Sequence, residues 1–173
     1  YAKQKDILKQ GLERRLNIII DHAHSDDKST NPPLPIFGKP NYAKGYDVVI
    51  HDECAADMKN PEIIAGVIAP HLKGIPGVNL HCAMHSYRFG DYRKPVKLGA
   101  ANAKWFEYIG LQSTGHGPQQ PIEIKFENNV PFITKGLENW TTQREELYNN
   151  IAVFPKAKIV ARGIQGNRKA VVA

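Results

Sequence analysis

Apolar residues recur at three-to-four spacing through the first sixteen positions, as Ile7, Leu8, Leu12 and Leu16, with Lys, Gln, Glu and Arg between them. That period predicts an amphipathic helix over residues 1–16. Residues 17–21 (Asn-Ile-Ile-Ile-Asp) form a short β-branched run, which predicts a buried strand. From 22 to 45 the periodicity is lost and Pro32, Pro33, Pro35 and Pro40 interrupt the chain. A long loop is expected there, of the kind that carries function or moves in compact domains. Residues 46–51 (Tyr-Asp-Val-Val-Ile-His) predict a second strand. A helix is expected over 60–73, and Pro61 suits its first turn. Gly74 and Gly77 then lead into a third apolar run that stops abruptly at His81 and Cys82.

In the second half, 99–109 predicts a helix stopped by Gly110. Residues 112–120, rich in Gly and Pro, read as a loop carrying His116. Residues 121–127 alternate Ile122, Ile124 and Phe126 with polar residues, as a strand with one wet face does. Mostly loop and short helix are expected over 131–150, and further strands at 157–162 and 170–173. Strands alternate with helices through the first hundred residues, which predicts an α/β fold with a parallel, doubly wound sheet. The later strands, lacking helices between them, suggest an antiparallel edge or extension.

In such a sheet, ligands sit outside the carboxyl ends of the strands. Three polar clusters would meet there. One is His51, Asp52, Glu53 and Cys54. The second is His81, Cys82 and His85, with Tyr87 and Arg88 following. The third is His116, between Gly115 and Gly117. Cys82 has three readings: a nucleophile activated by a neighbouring histidine, a small buried residue, or half of a disulfide with Cys54. His81, His85 and His116, with a carboxylate such as Glu146, offer ligands for zinc or a similar divalent ion, or else act as hydrogen-bonding groups around a polar pocket. Trp105, beside Phe106 and Ile109, reads as core. Trp140, in an irregular segment, either stacks on a sugar ring or covers the core.

Composition narrows the partners. The 173 residues suit one domain, with 42% hydrophobic and 23% charged positions. Net charge is +6, but the Lys and Arg are scattered and never form a run of five, so the charge reads as a soluble face rather than a nucleic-acid surface. No stretch of about 20 apolar residues is present, so no membrane span is expected.

Four segments, in order, resemble trehalose-utilisation (ThuA-like) domains: Tyr46-Asp-Val-Val-Ile-His, Leu80-His-Cys-Ala, Pro131-Phe-Ile-Thr-Lys-Gly-Leu137 and Glu145-Glu-Leu-Tyr148. The resemblance spans nearly the whole chain. It implies a class I glutamine-amidotransferase-like fold, a flavodoxin-like three-layer sandwich, in a single domain over 1–173 that lacks its first strand and its C-terminal strand or strands. It further implies catabolism of trehalose or a related disaccharide or keto-sugar, a periplasmic or secreted location, and pocket residues His81, Cys82, His116, Glu145 and Glu146. No His-x-Glu follows Cys82, which argues against amidotransfer. The expected partner is a small carbohydrate, and a homo-oligomer is compatible with the pattern. The expected reaction is of hydrolase, lyase or isomerase type. His81, Cys82, His116 and Glu146 are the expected catalytic groups. His51, Asp52, Glu53, His85, Arg88, Trp140, Glu145 and Tyr148 are the expected ligand-binding ones. The other class of reading is a carbohydrate-binding or interaction domain without chemistry.

Overall fold

The computed structural model describes residues 3–127 and 130–173. Helix α1 (Gln4–Glu13) opens it, within the helix expected over 1–16, whose first two residues lie outside the described residues. Strand β1 (Val49–His51), helix α2 (Pro61–Leu72) and strand β2 (Gly77–Asn79) follow, and a 3-10 turn, His81–His85, leads away from β2. A second such turn, Ala101–Ala103, runs into helix α3 (Lys104–Ile109). The remainder comprises strands β3 (Leu111–Gln120) and β4 (Glu123–Phe126), the one-turn helix α4 (Pro131–Thr134), and strands β5 (Trp140–Thr141), β6 (Glu145–Val153), β7 (Ala161–Gln165) and β8 (Arg168–Val171).

These strands do not build the expected sheet. Only β1 and β2 are parallel, over three residue pairs. β3 and β6 form an antiparallel ribbon, and β5-β4-β7-β8 form an antiparallel four-stranded sheet. The flavodoxin-like, doubly wound sandwich of the amidotransferase-like fold is therefore overturned. One cause is local. The Ile18-Ile19-Ile20 run, expected as a buried strand, joins no ladder among the described residues, and Ile19 is 90% exposed. A second is that the chain after Gly110 pairs mostly with itself in antiparallel fashion, so the feature expected as an edge became most of the β-structure.

α2 is where sequence and structure agree most closely. The Asn60 side chain accepts from the backbone N–H of Glu62 and of Ile63, and Pro61 occupies the first helical position, where its missing N–H costs nothing. Ile64, Val67 and Ile68 point inward and pack with Ala55, Met58, Ala83, Tyr87, Trp105, Phe106 and Phe154 into the larger core. Trp105 is buried as expected, and its indole N–H donates to the Ala83 carbonyl at 2.9 Å. α3 ends at Gly110, whose φ of +81° suits glycine alone without strain. A smaller core of Ile122, Ile124, Leu147 and Ala161 joins the four-stranded sheet to β6.

Residues 112–120, expected as a loop, are most of β3. The Gly and Pro there are accommodated because the β3–β6 ladder is irregular, with shifts on both sides of His116. A Cβ at Gly117 would fall 1.4 Å from Nη1 of Arg168, the far end of a flexible side chain, so a side chain there would displace the guanidinium that donates to the Leu147 carbonyl at 3.2 Å. Residues 145–150, expected within loop and short helix, belong to β6.

Candidate functional site

The β1–β2 pair delivers its two polar exits side by side, and a disulfide joins them. Cys54 and Cys82 are bonded, with Cα atoms 4.9 Å apart, so Cys82 has no thiolate to offer and its nucleophile reading is set aside. Ser86 reinforces the junction: its hydroxyl donates to the Glu53 carbonyl at 2.7 Å and accepts from the Ala55 N–H at 2.8 Å. The turn so anchored carries His81 and His85. His81 adopts φ +41°, a left-handed conformation uncommon outside glycine, so its ring direction is imposed by the surrounding structure.

Opposite this turn lies the β3–β6 ribbon. Its register pairs His116 with Tyr148, Gln119 with Glu146 and Gln120 with Glu145. Alternation puts Glu146 and Tyr148 on one face while Leu147 goes to the small core. The Glu145 carboxylate curls back to accept from the Glu146 N–H at 2.9 Å, which keeps both acids at the same end of the strand.

Turn and ribbon thus bring together His81, His85, His116, Glu145, Glu146 and Tyr148. His81 Nε2 lies 3.5 Å from Glu145 Oε1 and 4.0 Å from Glu146 Oε2. His116 Nδ1 lies 3.6 Å from Glu146 Oε2, so that carboxylate stands between two imidazoles. Gln119 donates to its other oxygen at 3.3 Å. The Tyr148 ring stacks on His85 at 4.2 Å and on His116 at 5.8 Å, and meets His81 at 5.5 Å. His85 is the buried member. Its Nε2 lies 2.8 Å from Ser113 Oγ, and burial, then the Arg88 charge and His116, pull its pKa down to about 4. It is neutral at pH 7, unlike a group waiting to exchange protons there. Of the three expected metal candidates, only His81 falls in a tight donor group: its nitrogen and oxygens of Glu145 and Glu146 lie within 4.8 Å of one another. One imidazole and two carboxylates suit a divalent ion of the zinc or manganese kind.

Other expected residues stand farther from this centre. Asp52 borders it: burial pushes its carboxyl up and the His81 charge acts against that. Arg88 is buried, with its guanidinium 4.5 Å from the Tyr92 ring centre, and donates weakly to the Ser113 carbonyl at 3.4 Å. Trp140 is exposed on β5, paired with Ile124 in the other sheet rather than with the ribbon. His51 and Glu53 turn into the core instead of toward His81. There they meet Tyr42 and His71, two residues the sequence reading did not single out. A signal existed: His71 follows Ile64, Val67 and Ile68 at helical spacing, so it lies on the buried face of α2.

No protein-family model, no curated protein and no solved structure matches the chain. Among the described residues, no helix is long and apolar enough to cross a membrane.

Proposed function

We propose that the chain is a carbohydrate-processing enzyme in which His81, His116 and Glu146 are the acid–base groups. The observation that carries this reading is the Glu146 carboxylate held between two imidazoles, 4.0 Å from His81 Nε2 and 3.6 Å from His116 Nδ1. A carboxylate that accepts a proton and an imidazole that donates one, side by side against a small substrate, suit proton abstraction beside a carbonyl. A keto-disaccharide presents such a carbon. Glu146 would take the proton from carbon while an imidazolium protonates the oxygen that gains charge, and the two groups then exchange roles to release product. A divalent ion on His81, Glu145 and Glu146 would instead supply the polarisation of that oxygen, leaving His116 as the proton-transfer group.

Two further features support the reading. The left-handed backbone at His81 is local strain of the sort found where a side chain is aimed for use. The resemblance of Leu80-His-Cys-Ala and Glu145-Glu-Leu-Tyr148 to ThuA-like domains points to the same residues and to sugars. The Cys54–Cys82 disulfide favours an oxidising compartment, periplasmic or secreted.

The test is turnover of trehalose and of 3-keto-disaccharides by the wild-type chain and by Glu146→Gln, with sugar binding followed by calorimetry in parallel, before and after chelation. Loss of turnover by about 10²–10⁴-fold with binding retained supports the assignment. Binding without turnover in the wild type moves the chain to the binding-domain class, and unchanged turnover in Glu146→Gln overturns the role of that carboxylate.

A further inference from the structure

A second polar cluster lies in the core, and its hydrogen bonds leave an excess of lone pairs aimed at one point. His51 Nδ1 faces Glu53 Oε1 at 2.9 Å, and the Tyr87 hydroxyl donates to the same oxygen at 2.6 Å. Glu53 Oε1 accepts from Tyr87 and meets His51 Nδ1 as a second short contact, so as acceptor of both it places the His51 proton on Nδ1. His71 Nδ1 lies 2.8 Å from the Ile75 carbonyl oxygen, which also only accepts, so His71 carries its proton on Nδ1 as well. Both Nε2 atoms then present lone pairs, and they face each other at 2.9 Å. The Tyr42 oxygen stands 3.2 Å from His71 Nε2 and 3.4 Å from His51 Nε2, while its hydroxyl donates to the Val67 carbonyl at 2.8 Å. Three lone-pair atoms this close repel unless a cation lies among them.

The geometry points to a divalent transition-metal site of the zinc class, with His51 Nε2 and His71 Nε2 as ligands and Tyr42 Oη as a weaker third. Tetrahedral ligands bound at about 2.0–2.1 Å are separated from one another by about 3.3 Å. The three separations here are 2.9, 3.2 and 3.4 Å, so ring shifts of a few tenths of an ångström complete the fit. Each imidazole is also held by its other nitrogen, one by a carboxylate and one by a backbone carbonyl, which is how metal-ligating histidines are oriented. The rings are framed: Tyr108 stacks on His71 at 4.5 Å and Trp105 meets His51 edge-on at 5.6 Å. His51 is 1% exposed, but His71 and Tyr42 are half-buried and leave an approach from their side. The three ligands come from β1, the last turn of α2 and the proline-rich segment before β1, so an ion here would tie together three separate segments of the chain.

A lone proton between the two Nε2 atoms is the competing cation, and nitrogen-15 NMR of the histidine side chains separates the two. The full chain is freed of metal with chelator and titrated with zinc chloride, following the ring nitrogens of His51 and His71. The expected result is that zinc shifts Nε2 of both rings together at one equivalent, while both Nδ1 protons persist. His71→Gln then removes the shift at His51 and weakens zinc binding by at least the roughly 10–100-fold that loss of an outer partner costs. Zinc that shifts only His81 overturns the proposal, as does a His51 ring that keeps protons on both nitrogens throughout the titration. The wild-type spectrum decides the matter even where His71→Gln does not fold.

Discussion

The rings of His85 and Tyr148 lie face to face, 4.2 Å apart and 7° from parallel. Tyr148 thereby covers the imidazole whose pKa burial, Arg88 and His116 lower to about 4. The unfolded chain takes up a proton at this histidine below about pH 6.5, whereas the folded chain resists until about pH 4, so stability is full above pH 6.5 and falls as the pH drops through that window. The expected loss between pH 7 and pH 4.5 is about 2 kcal/mol from this residue. Urea unfolding midpoints at the two pH values check it, and His85→Gln should lack most of the difference.

Glu146 stands between the His81 and His116 imidazoles, so Glu146→Gln keeps the shape and removes the charge between them. On the proposed acid–base role, its expected signature is a lower kcat with little change in KM, because a general base acts on the proton in flight more than on the bound substrate. Steady-state kinetics on whichever keto-sugar the wild type turns over supplies the comparison. A raised KM with kcat preserved would make Glu146 a binding group instead.

Both cysteines are consumed in one bridge that closes a loop across a sequence separation of 28. Thiol titration of the denatured, unreduced chain should find none, and reduction should expose both. A Cys54→Ser, Cys82→Ser double variant should lose about 3–4 kcal/mol by loop-closure entropy, read as a lower urea midpoint.

Asn60 caps α2 through two backbone N–H groups. Asn60→Ala should cost about 1 kcal/mol and Asn60→Gly a few tenths, measured by the same unfolding experiment. No loss in either variant would mean that the Asn60 side chain contributes nothing as a cap.

Local signals carried the helices. Asn60 and Pro61 mark the start of α2, and Gly110 marks the end of α3, because caps and stops depend on neighbours in sequence. Sheet architecture depends on partners far away, and there the pattern misled. The Ile18–Ile20 run has the composition of a buried strand but no strand beside it, and hydropathy alone does not say whether a partner exists. His116 reads from the sequence as a candidate beside His81 and His85 but not as part of a strand, since Gly115, Gly117 and Pro118 are ordinary loop residues unless a bulged two-stranded ribbon absorbs them. The meeting of His81 with Glu145 and Glu146 came from order along a resemblance. The inward turn of His51 and Glu53 toward His71 and Tyr42 needed three dimensions to be seen.

The Cys54–Cys82 bridge also decides how the chain carries tension. A pull applied at residues on either side passes from Cys54 directly to Cys82, and the intervening segment, α2 and β2 included, bears none of it. Stretched in an oxidising medium, the chain would therefore reach its full extension with that segment still looped out. Adding reductant would release roughly 90–100 Å of stored length in a single step, and His81, just inside the bridge, would first feel the load at that moment.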